Sequence, residues 1–292
     1  MENDSAPEKG HSTKKRILII TILLVACLIL GLIAFTTLMR PRITGVKSLI
    51  AANVRAQAKV KSYHMDGDVN MDITLEDEKF QALQSVLDLK LPVRMTLSAD
   101  SGTETAHVIT DAKVSILGKK VPVKTSELYL DMKNMAVYSK AGDPPQWKKS
   151  GDHADQLGFK ELTGGITIAG KTVVDNADLD ESDKFYTLTM PAEKTGDLVK
   201  DLHLLDRVDL GIADVSDITV EEGQIAYIVD KTTLRVHFIE LKDVECRGKG
   251  TYEGASFDLK FMINGLFRFS RYNELKEEEY KIPPEVTEYS EN

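Results

Sequence analysis

The sequence predicts an antiparallel α+β domain behind a single membrane-spanning helix. Three observations carry that expectation: one long apolar run near the N-terminus, about ten segments in which apolar and polar residues alternate, and two or three segments with helical spacing. Strands joined by mostly short connections, with few helices among them, are the pattern of an antiparallel rather than a parallel sheet.

The apolar run is ILIITILLVACLILGLIAFTTLM, residues 17–39. Its length of about 23 residues suffices to cross a bilayer as one helix. Residues 1–16 are polar and read as a disordered head. Two alternatives compete with an uncleaved anchor. Leu24-Val25-Ala26-Cys27 resembles a lipobox, but the apolar residues LILGLIAF continue past Cys27, where a lipoprotein usually turns polar. A cleaved signal needs a shorter run closed by small residues, and no A-x-A pattern closes this one. The uncleaved anchor is favoured. Lys9, Lys14, Lys15 and Arg16 precede the run and Arg40, Arg42 and Lys47 follow it, a slight bias toward a cytoplasmic N-terminus. The expectation is a single-pass protein of the cell membrane with a domain at 45–286 outside the cytoplasm and a tail at 287–292.

Within that domain the elements follow in order. Residues 44–61 read as a helix, with Val46, Leu49, Ile50, Val54, Ala58 and Val60 as a partial apolar stripe. A strand at 62–75 comes next, then 76–91, where Phe80, Leu83 and Leu87 suggest a short inserted helix. Alternating strands are expected at 92–100 and 105–116, and two more at 127–140 around Lys133-Asn134. KFYTLTM is a further strand. Residues 191–206 read as a helix with Pro191 early and Leu198, Leu202 and Leu205 on one stripe. Residues 224–244 read as a hairpin turning at Asp230-Lys231, and 251–273 as one or two strands. The acidic residues from Glu274 onward are expected to be solvated.

The strand at 62–75, SYHMDGDVNMDITL, also admits a calcium-loop reading through Asp66, Asp68, Asn70 and Asp72. An EF-hand loop requires Gly at its sixth position and Glu at its twelfth. Counted from Asp66 these are Met71 and Asp77, so both requirements fail. In a strand the four side chains are spread along one wet face, and no metal site is expected.

Composition excludes other classes. A net charge of −9 without a long basic run argues against nucleic acid, and two cysteines make no disulfide framework. GITIAGKT, residues 165–172, matches the expression for a phosphate-binding loop letter for letter. Its context fails, because no buried strand precedes Gly165 and the residues after Thr172, VVDNADLDESD, are poor helix formers. The six histidines form no zinc spacing and no G-x-S-x-G elbow is present. Cys246 reads as a small side chain in a strand, and Trp147, the only tryptophan, as a packing residue at a sheet edge. No catalytic constellation remains, so the chain is not expected to be an enzyme and no cofactor is expected.

Four stretches carry a family resemblance: KVKSYHMDGDVNMDI, ELYLDMKNMAVYSK with the QWKK that follows, AYIVDKTTLRVHFIELKDV, and FSRYNE with YKIPPEV near the end. Together they resemble a family of bacterial surface lipoproteins and membrane-anchored proteins that looks like the LolA/LolB and LppX/LprG lipoprotein-carrier fold. The resemblance implies a curved antiparallel sheet, a half-barrel, packed on two or three helices around an apolar cavity. On the concave face it implies a ligand-binding set of Val69, Met71, Ile73, Met95, Leu97, Phe261, Ile263 and Phe267. Two functions follow: a membrane-anchored module that binds a lipid or other hydrophobic ligand, or a cell-envelope interaction protein with a filled core and an envelope partner. The full anchor at 17–39 departs from relatives that have a cleaved lipoprotein signal.

Overall fold

The chain divides into two units, Met1–Ile43 and Thr44–Asn292. The computed structural model describes residues 42–76, 89–116, 119–122, 126–141, 146–150, 171–195, 214–252 and 255–289. The expected head and membrane span lie outside these residues. Among the described residues no helix is long and apolar enough to cross a membrane.

The second unit begins with helix α1, Val46–Gln57. Seven strands follow: β1 Ser62–Leu75, β2 Leu89–Asp100, β3 Thr105–Ile116, β4 Lys119–Pro122, β5 Ser126–Asp131, β6 Ala136–Ala141 and β7 Gln146–Ser150. After a six-residue helix α2, Lys171–Asn176, come β8 Asp178–Glu181, β9 Phe185–Pro191, β10 Asp214–Asp230, β11 Val236–Tyr252 and β12 Ala255–Ser270. A short helix α3, Pro284–Tyr289, ends the described chain.

All twelve strands join one sheet in the order β7-β6-β5-β3-β2-β1-β12-β11-β10-β9-β8, with β4 paired to β3 off this path. Every pairing is antiparallel. The first strand, β1, sits mid-sheet because it pairs with β2 on one side and with the last strand, β12, on the other. This contact between distant ends of the sequence joins the β2–β7 meander to the β8–β12 meander.

Period-2 alternation explains β1. Tyr63, Met65, Gly67, Val69, Met71 and Ile73 are buried, while Asp68, Asn70 and Asp72 are exposed. A strand places successive side chains on opposite faces, so three of the four positions expected to be wet are exposed and Asp66 is half-buried. Asp66 and Asp68 meet different partners, His64 and Arg94.

Long antiparallel strands need relief from their own twist, and β10 and β11 find it in bulges. Their register shifts between Ser216 and Thr219, at Glu222, and again near Val229. Gly223 has φ +116, and a Cβ there would stand 2.5 Å from the Val244 Cα. Only glycine fits that position.

Several expectations need correction. In α1 the stripe does not run through Val54, which is 39% exposed, or Ala58, which is also exposed. The buried row is Leu49, Asn53 and Gln57, with Ile50 and Ala52 beside it. Two polar residues hold core positions, and the amide of one bonds to a loop beneath. Asn53 Nδ2 donates to the Leu234 carbonyl at 2.9 Å. Leu89, Lys90 and Leu91, expected in an inserted helix, belong instead to β2, where Leu91 is buried. Residues 77–88 of that helix lie outside the described residues. Pro191, expected early in a helix, closes β9, and a single 3-10 turn, Ala192–Thr195, follows it. The residues 196–206 are not described. The residues around Thr172, read as unsuited to helix, do form α2. At the other end Thr251 and Tyr252 close β11, and the one strand after them is β12, Ala255–Ser270; residues 253–254 are not described.

The acidic C-terminal segment is solvated at Glu277, Glu278 and Glu285 but not at Val286, which is 1% exposed. Val286 packs on Tyr129, Ala136 and Tyr138, and Trp147 and Ile282 flank this second, smaller core. His107 stacks on Tyr129 at 4.2 Å between ring centroids, and its Nε2 lies 3.2 Å from Glu127. The segment is tied down by Arg271, which pairs with Glu279 through both guanidinium nitrogens.

Candidate functional site

The eight residues expected to line a ligand face are spread over three neighbouring strands, and register brings them together. Across the β1–β12 ladder Met71 opposes Ile263, Ile73 opposes Phe261 and Gly67 opposes Phe267. Across β1–β2, Met65 opposes Leu97 and Gly67 opposes Met95. Directly opposed residues share a face, so Val69, Met71, Ile73, Met95, Leu97, Phe261, Ile263 and Phe267 all point to one side of the sheet. Seven of them are buried, and Met95 is half-buried.

The same face extends beyond those eight. Val108 opposes Leu97, Thr110 opposes Met95 and Ala112 opposes Val93 across β2–β3, and Leu128 opposes Val108 on β5. On the other side of β12, Ile239 opposes Phe267 and Cys246 opposes Phe261. Exposure is graded over this surface. Val69, Met71, Leu97 and Val108 are buried, whereas Val93, Met95, Thr110, Ala112 and Leu128 are half-buried. Sequence alternation on β3 and β5 could have placed these last residues on the face, but only the register identifies them as Met95's neighbours.

On this face β1 crosses close under Phe267. A Cβ on Gly67 would stand 2.9 Å from the Phe267 ring. The absence of a side chain at Gly67 makes room for that ring. Cys246 is fully buried here, and burial first, then Glu245, pushes its thiol up to about 11. A thiol so placed is inert at neutral pH. Burial likewise raises the Tyr63 and Tyr227 phenols well above the usual tyrosine range. The Tyr63 hydroxyl has no hydrogen-bond partner among the described residues.

The opposite face is polar around His64. His64 Nδ1 lies 2.9 Å from Ser98 Oγ and its Nε2 lies 3.3 Å from Asp66 Oδ1. The order serine, histidine, carboxylate is that of an activated nucleophile. Ser98 is 8% exposed and lies within β2. Among the described residues no group of three or more His, Cys, Asp or Glu side chains is placed to hold a metal ion. Residues 165–170 of the phosphate-loop match, and the side chains of Lys171 and Thr172, are not described.

An open cleft of about 370 Å³ lies at one end of the sheet, between the β10–β11 turn and the end of β12. Asp230, Arg235, His237, Phe269, Ser270 and Tyr272 contribute to it. Sequence reasoning took Asp230 and Lys231 only as turn residues and did not single out this cleft. Its parts come from segments about 40 residues apart.

A family model for a family of unknown function, DUF6612, matches residues 45–291. The chain belongs to DUF6612. No curated protein matches it. Among solved structures, the DUF6612 chain is similar to a LolA superfamily protein from Nitrosomonas europaea, with 7% identity and a TM-score of 0.27, covering 82% of this chain and 99% of that one. It is also similar to a beta-barrel-like protein of the domain of unknown function DUF1849 from Brucella abortus, with 10% identity and a TM-score of 0.24, covering 71% and 98%.

Proposed function

We propose that this protein is a membrane-anchored binding module, held by residues 17–39, whose domain lies outside the cytoplasm and takes a lipid or other hydrophobic ligand on the apolar face of its sheet. The observation that supports this reading is the half-buried strip of Val93, Met95, Thr110, Ala112 and Leu128 beside fully buried neighbours. Partial exposure of adjacent apolar residues on a core-facing side leaves surface that a ligand can cover. No reaction is proposed for the protein.

A second reading has its own support. Seven of the eight residues implied as a ligand face are buried, which suits a filled core and an envelope protein that acts through its outer surface.

Purification of the full chain in a mild detergent, followed by solvent extraction and mass spectrometry, separates the two. The binding reading expects a stoichiometric hydrophobic species that is lost in Met95→Asp while the fold is kept. A parent protein that carries no such species and takes up no fluorescent fatty-acid probe sinks it. Protease treatment of intact cells tests the topology: residues 45–292 should be removed, and their survival with loss of an N-terminal tag would reverse the orientation.

A further inference from the structure

The cleft at the end of the sheet holds a half-buried arginine, Arg235. The Arg235 guanidinium lies 5.1 Å over the ring of Tyr272. Tyr272 is itself fixed, because its hydroxyl donates to the Val236 carbonyl. Among the described residues no carboxylate stands within ion-pair distance of Arg235.

Two carboxylates, Asp230 and Glu274, line the same cleft. Asp230 Oδ1 accepts bonds from Thr232 N at 3.0 Å, Thr233 N at 2.7 Å and Thr233 Oγ1 at 2.9 Å, which hold that side chain in its own turn. Arg271 is committed to Glu279. Glu274 is exposed. The ring of His237 is held by Phe185, stacked at 5.6 Å, and by Phe238, edge-on at 4.3 Å. Ser270 supplies a hydroxyl.

We propose that this cleft binds one oxyanion group, a phosphate or a carboxylate, through Arg235, with the Ser270 hydroxyl as a second donor. A guanidinium pairs with such groups through two parallel N–H bonds, and its face is free to rest on an aromatic ring while its edge does so. A lipid headgroup and a free phosphorylated or carboxylated metabolite share this chemistry. The site lies at the sheet's end and does not depend on what the apolar face holds.

The test uses the full chain in a nonionic detergent, with ³¹P line broadening as the readout, at ionic strength matched with chloride. The probes are inorganic phosphate and phosphatidylglycerol in mixed micelles, with phosphatidylcholine micelles as the control. Saturable binding of either anionic probe, weakened about tenfold or more in Arg235→Gln, supports the proposal. Tighter binding of phosphatidylglycerol than of phosphate assigns the headgroup, and the reverse assigns a free anion. Should Arg235→Gln fail to fold, Glu274→Gln serves instead. It removes an exposed like charge from the cleft and should tighten binding, and unchanged or weaker binding counts against the site. No saturable binding of either probe overturns the proposal, as does equal binding by the parent and a folded Arg235→Gln.

Discussion

The amide of Asn53, in the middle of α1, donates to the backbone carbonyl of Leu234 at the β10–β11 turn, across 181 residues of chain. Asn53 is wholly buried and Leu234 adopts φ 56, a left-handed conformation that leucine takes at some cost. One side chain therefore docks the helix and holds the turn. Asn53→Ala removes the donor and leaves that carbonyl without this bond, at a cost of about 1–3 kcal/mol. Urea denaturation of the full chain followed by circular dichroism checks it. An unchanged midpoint would show that the contact holds nothing.

The two faces of β1 should respond oppositely to substitution. Ile73 is buried against Phe261, so Ile73→Asp places an unpaired charge in the core and should cost several kcal/mol, roughly 3 or more. Asp72 is exposed, and Asp72→Ala should cost less than about 0.5 kcal/mol. Calcium should leave the parent melting temperature unchanged, since a ligand that binds only the native state would raise it. A calcium-dependent rise that vanishes in Asp72→Ala would restore the metal reading.

Gly67 and Phe267 form a size-matched pair. Gly67→Ala drives a methyl to 2.9 Å from the Phe267 ring and should destabilise by about 1–3 kcal/mol. The double variant with Phe267→Leu should recover part of that loss, giving a coupling energy of about 0.5 kcal/mol or more in a double-mutant cycle. Strict additivity would mean that the ring is not what excludes the methyl.

The C-terminal segment carries its own reporter. Trp147 is the only tryptophan and flanks the cluster that buries Val286. Val286→Asp should expel α3 and shift the tryptophan emission to longer wavelength, with much of the circular dichroism retained. Emission identical to the parent's would show that α3 stays docked without its apolar anchor.

Acid should loosen the same segment. The Arg271 guanidinium, and then the Lys276 backbone N–H, hold the Glu279 carboxyl down at about 2. A carboxyl with a depressed native pKa stabilises the fold above its unfolded value, and that stabilisation fades as pH falls toward the native value. Docking followed by Trp147 emission should therefore weaken below about pH 4.5, the ordinary range for a glutamate. Glu279→Gln should flatten this dependence and loosen the segment at neutral pH. A parent profile that the substitution leaves unaltered would assign the acid transition to other groups.

Alternation alone located β1 to the residue, and it marked Met71, Ile73 and Leu97 as one-sided, because a period of two is a local property of the chain. It also placed the Asp230 turn, where one carboxylate collects three nearby donors. What local pattern could not supply is pairing. That β1 neighbours β12 follows from long-range register, and it alone puts Met71 against Ile263 and Gly67 under Phe267. The stripe of α1 was misjudged at Val54 because Asn53 and Gln57 look solvent-seeking until the loops that receive them are in view. Val286 was hidden among acidic neighbours for the same reason: one apolar side chain has no period, and only the tertiary contact with Tyr129 and Tyr138 gives it a place. The cleft around Arg235 belongs wholly to the fold. Its cation and its walls come from two strand ends that meet only when the sheet forms, and whether an arginine is neutralised depends on which carboxylates the fold brings within reach.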